Sequence, residues 1–176
     1  MISRLSLCLL LSLPVGCAVQ TPSANTQSLE VAFSPDAGSE ELIVKVLGSA
    51  TQSIRLAGYS FTSPAVVKGL VAAKRRGVDV KVLLDDKGNR GKANIAAMNL
   101  LAGADIPIKV VSSYAIHHDK YIVVDARHIE TGSFNYSTAA AKSNSENVLV
   151  VWNNTAIAQK YLTLCGRSEW RCRADQ

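Results

Sequence analysis

Beyond residue 28 the chain alternates short apolar runs with amphipathic stretches. Leu29–Phe33 (LEVAF) and Ser53–Tyr59 (SIRLAGY) read as strands. Val78–Leu84 (VDVKVLL) repeats apolar and polar positions with the period of two that a strand demands. Ser39–Leu47 reads as a helix, with Ser39 placed to cap it and Glu40 and Glu41 in the first turn, where the dipole favours anions. Pro64–Arg76 is a second helix, opening on proline and closing on Lys74-Arg75-Arg76-Gly77. Cations in a last turn followed by glycine form a C-terminal signature, so this basic triplet reads as capping in preference to a nucleic-acid patch. Ala93–Ala102 is a third helix. Ile108–Val111, Tyr121–Asp125, His128–Thr131 and Asn147–Trp152 follow as strands, and Asn154–Leu164 closes the chain as a helix. Asn147–Trp152 is nearly continuous in apolar residues, which predicts a central strand buried on both faces. Strand–helix alternation, a run of strands and a final helix predict an α/β domain with a mixed β-sheet flanked by helices on both faces.

The N-terminus breaks this pattern. Arg4 is the only charge before Glu30, and Leu5–Leu13 is apolar but shorter than the ~20 residues a bilayer span needs. With Gly16 and Ala18 as small residues before a cleavage point, 1–18 reads as a signal peptide, 19–28 as a flexible tether and 29–176 as a single domain. Leu13–Cys17 also resembles a lipoprotein signal, with Cys17 as a lipid anchor, although Pro14 stands where leucine is usual. The expected location is therefore periplasmic or secreted, with a membrane-anchored lipoprotein as the alternative and no integral membrane span in the mature chain. Cys165 and Cys172 remain after cleavage and, in an oxidising compartment, are expected to pair. A hydrophobic fraction of 48% with 19% charged residues suits a globular core and excludes a disordered chain. The net charge of +5 favours a polyanionic partner without establishing one.

Two segments hold candidate chemistry. In the first, Asp85–Lys92, the adjacent Asp85-Asp86 reads as a solvated turn, because one acidic pair is a poor cation site. Gly88–Lys92 is basic and glycine-containing, a candidate for contact with a substrate backbone. It is not a P-loop, since no glycine stands five residues before Gly91 and Ala93 follows the lysine. The second, Ile116–Val150, is richer. Residues two apart on a strand share a face, so His118 and Lys120 point one way, and His117 and Asp125 the other. A turn at Ala126-Arg127 returns the chain to Gly132-Ser133-Phe134-Asn135, where Ser133 and Asn135 again share a face. Imidazole, ammonium, hydroxyl and carboxamide then converge as donors to phosphate oxygens. Glu146 is placed to take the imidazole's other N–H and fix its tautomer.

His118-x-Lys120-x4-Asp125 resembles the HxKxxxxD motif of the phospholipase D superfamily. Gly132-Ser133-Phe134-Asn135 and Glu146-Asn147 resemble its downstream GSxN and Glu/Asn elements, seven residues after the aspartate and eleven after Asn135. The likeness runs over residues 29–165 and is greatest to the small, single-motif, exported bacterial endonucleases that need no metal. It implies the phospholipase D/nuclease fold and a phosphodiesterase working through a covalent phosphohistidine. His118 would attack phosphorus, and a second motif histidine would protonate the leaving oxygen and then activate water. Lys120 and Asn135 would hold the non-bridging oxygens, Ser133 would support phosphate binding, and Glu146 would orient His118. Asp125 would be structural. His117 and His128 match no functional position and read as structural. No cofactor or metal is implied, because lysine and amides replace the cation. One motif per chain and two histidines per reaction imply a homodimer with a composite site on its two-fold axis. Size and net charge favour nucleic acid, DNA and also RNA, as substrate; phospholipid headgroups are the alternative, and the intact site residues argue against a non-catalytic binding protein.

Overall fold

The computed structural model describes residues 26–167. The expected signal peptide, Cys17, most of the tether and Cys172 lie outside the described residues. Cys165 falls beyond the last described side chain, Leu164.

The elements run β1 (Ser28–Ser34), α1 (Ser39–Gly48), β2 (Ser53–Gly58), α2 (Pro64–Arg75), β3 (Asp79–Asp85), α3 (Lys92–Ala102), β4 (Ile108–Val111), β5 (Tyr121–Val124), β6 (His128–Gly132), α4 (Thr138–Lys142), β7 (Glu146–Trp152) and α5 (Thr155–Arg167). A 3-10 turn, Lys87–Asn89, lies between β3 and α3. The seven strands form one sheet in the order β1-β7-β6-β5-β2-β3-β4. β2, β3 and β4 are parallel, and β5, β6, β7 and β1 extend the sheet antiparallel. The sheet is thus mixed, and helices cover both faces unequally. α1–α4 bury Ile43, Leu47, Leu70, Leu101 and Ala140 against one face, which carries Ile54, Leu56, Val82, Ile122 and Val148. Among the described helices α5 alone covers the other, packing Ala158 near Ala57, Leu83, Tyr121, Val123 and Ile129. The period of two decides this division: along β5, Tyr121 and Val123 face α5 while Ile122 and Val124 face the larger layer.

Two expectations need correction. β7 is second from the edge, not central, with Asn147 exposed and Leu149 half-buried. The central strand is the shorter β5, buried at every residue. An apolar run reports burial but not lateral position, and β7 stops at β1, where α5 no longer covers the sheet. Ser39 does not cap α1 either: Gly38, left-handed at φ 86, holds the N-cap position, and the Ser39 hydroxyl is buried with no hydrogen-bond partner among the described residues. α2 follows its signature more closely. Ser63 caps it by accepting the Val66 N–H at 3.2 Å, and Pro64 follows. The Arg76 guanidinium donates to the carbonyls of Leu47, Gly48 and Ala50, so one member of the basic triplet closes the end of α1. No helix among the described residues is long and apolar enough to cross a membrane.

Candidate active site

The sheet's registry assembles the site. Tyr121 opposes Thr131, so Lys120, just before β5, lies level with the end of β6. Gly132 opposes Val148, which sets Ser133 beside the start of β7 and Glu146. Ala57 opposes Tyr121, which brings the residues after β2 to the same edge. Elements distant in sequence therefore deliver His118, Lys120, Ser133, Asn135, Glu146 and Tyr59 to one end of the sheet. This end also carries the carboxyl ends of the parallel strands β2 and β3, where open α/β sheets bind ligands.

Close packing is needed there. A Cβ at Gly132 would sit 2.1 Å from the Asn147 carbonyl oxygen, so no other residue lets β6 approach β7 this closely. That approach lets the Ser133 hydroxyl donate to Glu146 Oε2 at 2.6 Å and accept the Asn147 N–H at 3.0 Å. Glu146 Oε1 takes the Asn144 amide at 2.9 Å. His118 and Lys120 sit in the irregular segment before β5 rather than within it. The His118 side is exposed, whereas Lys120 is buried, its Nζ donating to the His118 carbonyl at 2.7 Å. Burial holds the Lys120 ammonium below the usual lysine range, while the Glu146 and Asp119 charges act in the opposite sense. A cavity of about 350 Å³ opens beside His118, lined also by Tyr114, Ile116, His117, Asp119 and Leu164.

Among the described residues the Glu146 carboxylate accepts hydrogen bonds from Ser133 and Asn144, and none of the bonds there joins it to the His118 imidazole. Asp125 lies at the opposite end of β5. Its carboxylate accepts from the Thr51 N–H and hydroxyl and from the Gln52 and Ser53 N–H groups. Burial raises its pKa, but these bonds outweigh it and hold the group below the usual range. His117 is buried 3% exposed, its backbone N–H given to Asp85; burial lowers its pKa. His128 lies at the far end of β6, accepting the Asn153 N–H at Nδ1 and packed edge-on against Trp152.

Three contributors escaped the sequence reading. The Tyr59 ring stands 4.7 Å from the His118 ring and 5.6 Å from Lys120 Nζ, close to both motif residues. Its place after a parallel strand was the available signal. Asp85 is not solvated but 2% exposed, bridging the Gly88 and His117 N–H groups at 2.6 and 2.7 Å and so tying the 3-10 turn to the segment that carries His118. Asn89 is buried and bonds Tyr59, Phe61, Asp85 and Asn94. Gly88 fits because a Cβ would lie 2.6 Å from the Tyr59 carbonyl oxygen.

The family model described as "Cardiolipin synthase, PLD-like domain" matches residues 43–166. The chain belongs to the phospholipase D superfamily. As a member it is a hydrolase of phosphodiester bonds. It is 33% identical over 141 residues to a phospholipase D of Rickettsia typhi, covering 80% of this chain and 68% of the relative. A mitochondrial cardiolipin hydrolase of Xenopus laevis is 32% identical over 126 residues, covering 72% of this chain and 58% of its own length. The chain therefore spans about two thirds or less of these relatives. Among solved structures, the phospholipase D family member Nuc of Salmonella typhimurium is 45% identical with a TM-score of 0.80, covering 81% of this chain and 94% of that one. NucT of Helicobacter pylori shares the fold at a TM-score of 0.69 and 20% identity.

Proposed function

We propose that the protein is an endonuclease of the phospholipase D superfamily, cleaving DNA and also RNA without a metal, through a phosphohistidine, in a site shared by two copies of the chain. One observation carries this reading: the exposed imidazole of His118 and the buried ammonium of Lys120, whose Nζ bonds the His118 carbonyl, lie at the end of the sheet that also holds Ser133, Asn135 and Glu146, a ledge of polar side chains. A ring nitrogen of His118 attacks phosphorus as the bond to the leaving oxygen breaks, and that oxygen takes a proton from a second histidine. The second histidine then removes a proton from water, whose oxygen displaces His118 from phosphorus. Lys120 and Asn135 bind the non-bridging oxygens, where charge grows in the transition state. Ser133 steadies the phosphate, and Glu146 holds Ser133.

The chain has three histidines. His117 is buried beside the site and His128 is buried at the far end of β6, so the proton donor is the His118 of a second copy. The net charge of +5 and the near-complete overlap with Nuc support a polyanionic polymer as substrate. The names of the rickettsial and cardiolipin-hydrolase relatives favour a second reading, hydrolysis of phospholipid headgroups. Export, with Cys165 paired to Cys172, completes the reading; two free thiols on protein recovered from the periplasm would contradict that pairing.

The deciding experiment incubates the protein in excess EDTA with plasmid, single-stranded DNA, RNA and phosphatidylcholine. Cleavage of nucleic acid in chelator is expected. Activity lost in EDTA and restored by Mg²⁺ or Zn²⁺ would overturn the metal-free mechanism, and headgroup release with intact nucleic acid would overturn the nuclease.

A further inference from the structure

Beneath the phosphate ledge lies a carboxyl that the mechanism does not use. Glu130, on β6, is fully buried; its Oε2 accepts the Tyr136 hydroxyl at 2.7 Å, and its Oε1 has no hydrogen-bond partner among the described residues. Burial pushes its pKa up to about 8, so it is largely neutral at neutral pH. A buried carboxyl with one oxygen unpaired is a poor device for stability, because an apolar side chain of similar shape would avoid the desolvation. What the pair does is hold Tyr136. The Tyr136 hydroxyl is fixed by Glu130, and its carbonyl accepts the Thr62 and Ser63 N–H groups at 2.8 and 2.9 Å. Its ring packs at the end of β2, where a Cβ on Gly58 would lie 3.0 Å away. One residue is thus tied at hydroxyl, ring and carbonyl. Asn135 immediately precedes it, and its own carbonyl takes the Ser137 N–H at 2.6 Å.

We propose that Tyr136, anchored by Glu130, is a positioning residue that holds the Asn135 carboxamide where it meets the non-bridging phosphate oxygen in the transition state. The inference rests on the reading of Asn135 as a phosphate-binding residue. Glu130 and Tyr136 act through the turn and touch no substrate.

Steady-state kinetics on bis(4-nitrophenyl) phosphate, a single small diester, test this without interference from polymer binding. Tyr136→Phe keeps the ring and is expected to lower kcat about 10-fold with KM little changed, since a displaced donor is felt in the transition state. Glu130→Gln retains a carbonyl acceptor for the hydroxyl and is expected to keep kcat near wild type. Glu130→Leu removes the acceptor, should reproduce the Tyr136→Phe loss, and keeps the test open if Tyr136→Phe does not fold. The Asn135→Ala/Tyr136→Phe double variant is expected to be no slower than Asn135→Ala. A folded Tyr136→Phe enzyme with wild-type kcat, or a double variant slower than Asn135→Ala by the full single-variant factor, overturns the positioning role. Wild-type activity in Asn135→Ala alone would instead overturn the reading of the site.

Discussion

Asp125 closes the HxKxxxxD motif, yet its carboxylate lies at the end of β5 away from Lys120 and accepts from Thr51, Gln52 and Ser53. Removing it strips acceptors from backbone N–H groups that water can reach, so Asp125→Ala is expected to destabilise by about 2–3 kcal/mol in urea denaturation. The kcat of the folded fraction should stay close to wild type, because none of these bonds reaches the end of the sheet that holds His118 and Lys120. Glu130 gives the opposite pH behaviour from a paired surface carboxylate. Its folded pKa of about 8 lies above the ordinary 4.5, so its contribution to stability is full below pH 4.5 and is lost as pH rises toward 8. Between pH 7 and 8, above the range where the buried histidines titrate, the wild-type denaturation midpoint should fall, at a slope of at most about 1.4 kcal/mol per pH unit. Glu130→Gln should show a flatter dependence over the same interval. Equal slopes would show that Glu130 already ionises freely in the folded protein.

Between elements, β5 and β6 are joined by Val124–Arg127, with Asp125 and Ala126 both left-handed at φ 51 and 52 and the Arg127 N–H on the Val124 carbonyl. Two successive left-handed residues close the turn, although such positions usually hold glycine or asparagine. The Asp125 bonds to Thr51–Ser53 offset the strain and join the hairpin to β2. The β6–β7 contact depends more sharply on one atom. A Cβ at Gly132 cannot share space with the Asn147 carbonyl, so Gly132→Ala should force the strands apart and break the Ser133–Glu146 bond. Loss of nearly all activity is expected, with destabilisation above about 3 kcal/mol, typical of overpacking a tight contact. An active, equally stable Gly132→Ala protein would mean that the ledge tolerates a different strand spacing. The α2 cap gives a calibrated reference: Ser63→Ala should cost about 1 kcal/mol by thermal melting, with activity retained.

At the scale of the molecule, the prediction concerns stoichiometry. If each composite site uses the His118 of both chains, a dimer with one His118→Ala chain lacks either nucleophile or acid. Mutant and wild-type chains unfolded together and refolded at random should then lose activity as the square of the wild-type fraction. A linear fall, or a monomeric mass for the active protein, would defeat the shared site. His118 is exposed, so its removal should leave folding intact.

The element order, the mixed sheet and its two helical layers were legible in the sequence, because periods of two and 3.6, caps and turns are local properties of the chain. The candidate chemistry was legible for the same reason: His118 and Lys120 are two residues apart, Ser133 and Asn135 likewise, and each pair needs only its own segment to be recognised. What lay beyond reach depends on registry between distant strands. Only the Ala57–Tyr121 pairing brings Tyr59 within reach of both His118 and Lys120, and only the β6–β7 approach joins Glu146 to Ser133. β5 holds the centre of the sheet and the longer β7 lies second from the edge, because lateral order follows from which strands pair and which faces the helices cover, not from the length of one apolar run. Asp85 and Glu130 look like ordinary acids in the sequence, and their burial was decided by the segments that close over them. Tertiary packing alone converted one carboxylate into an anchor for the segment that carries His118 and the other into a largely neutral acceptor for the Tyr136 hydroxyl.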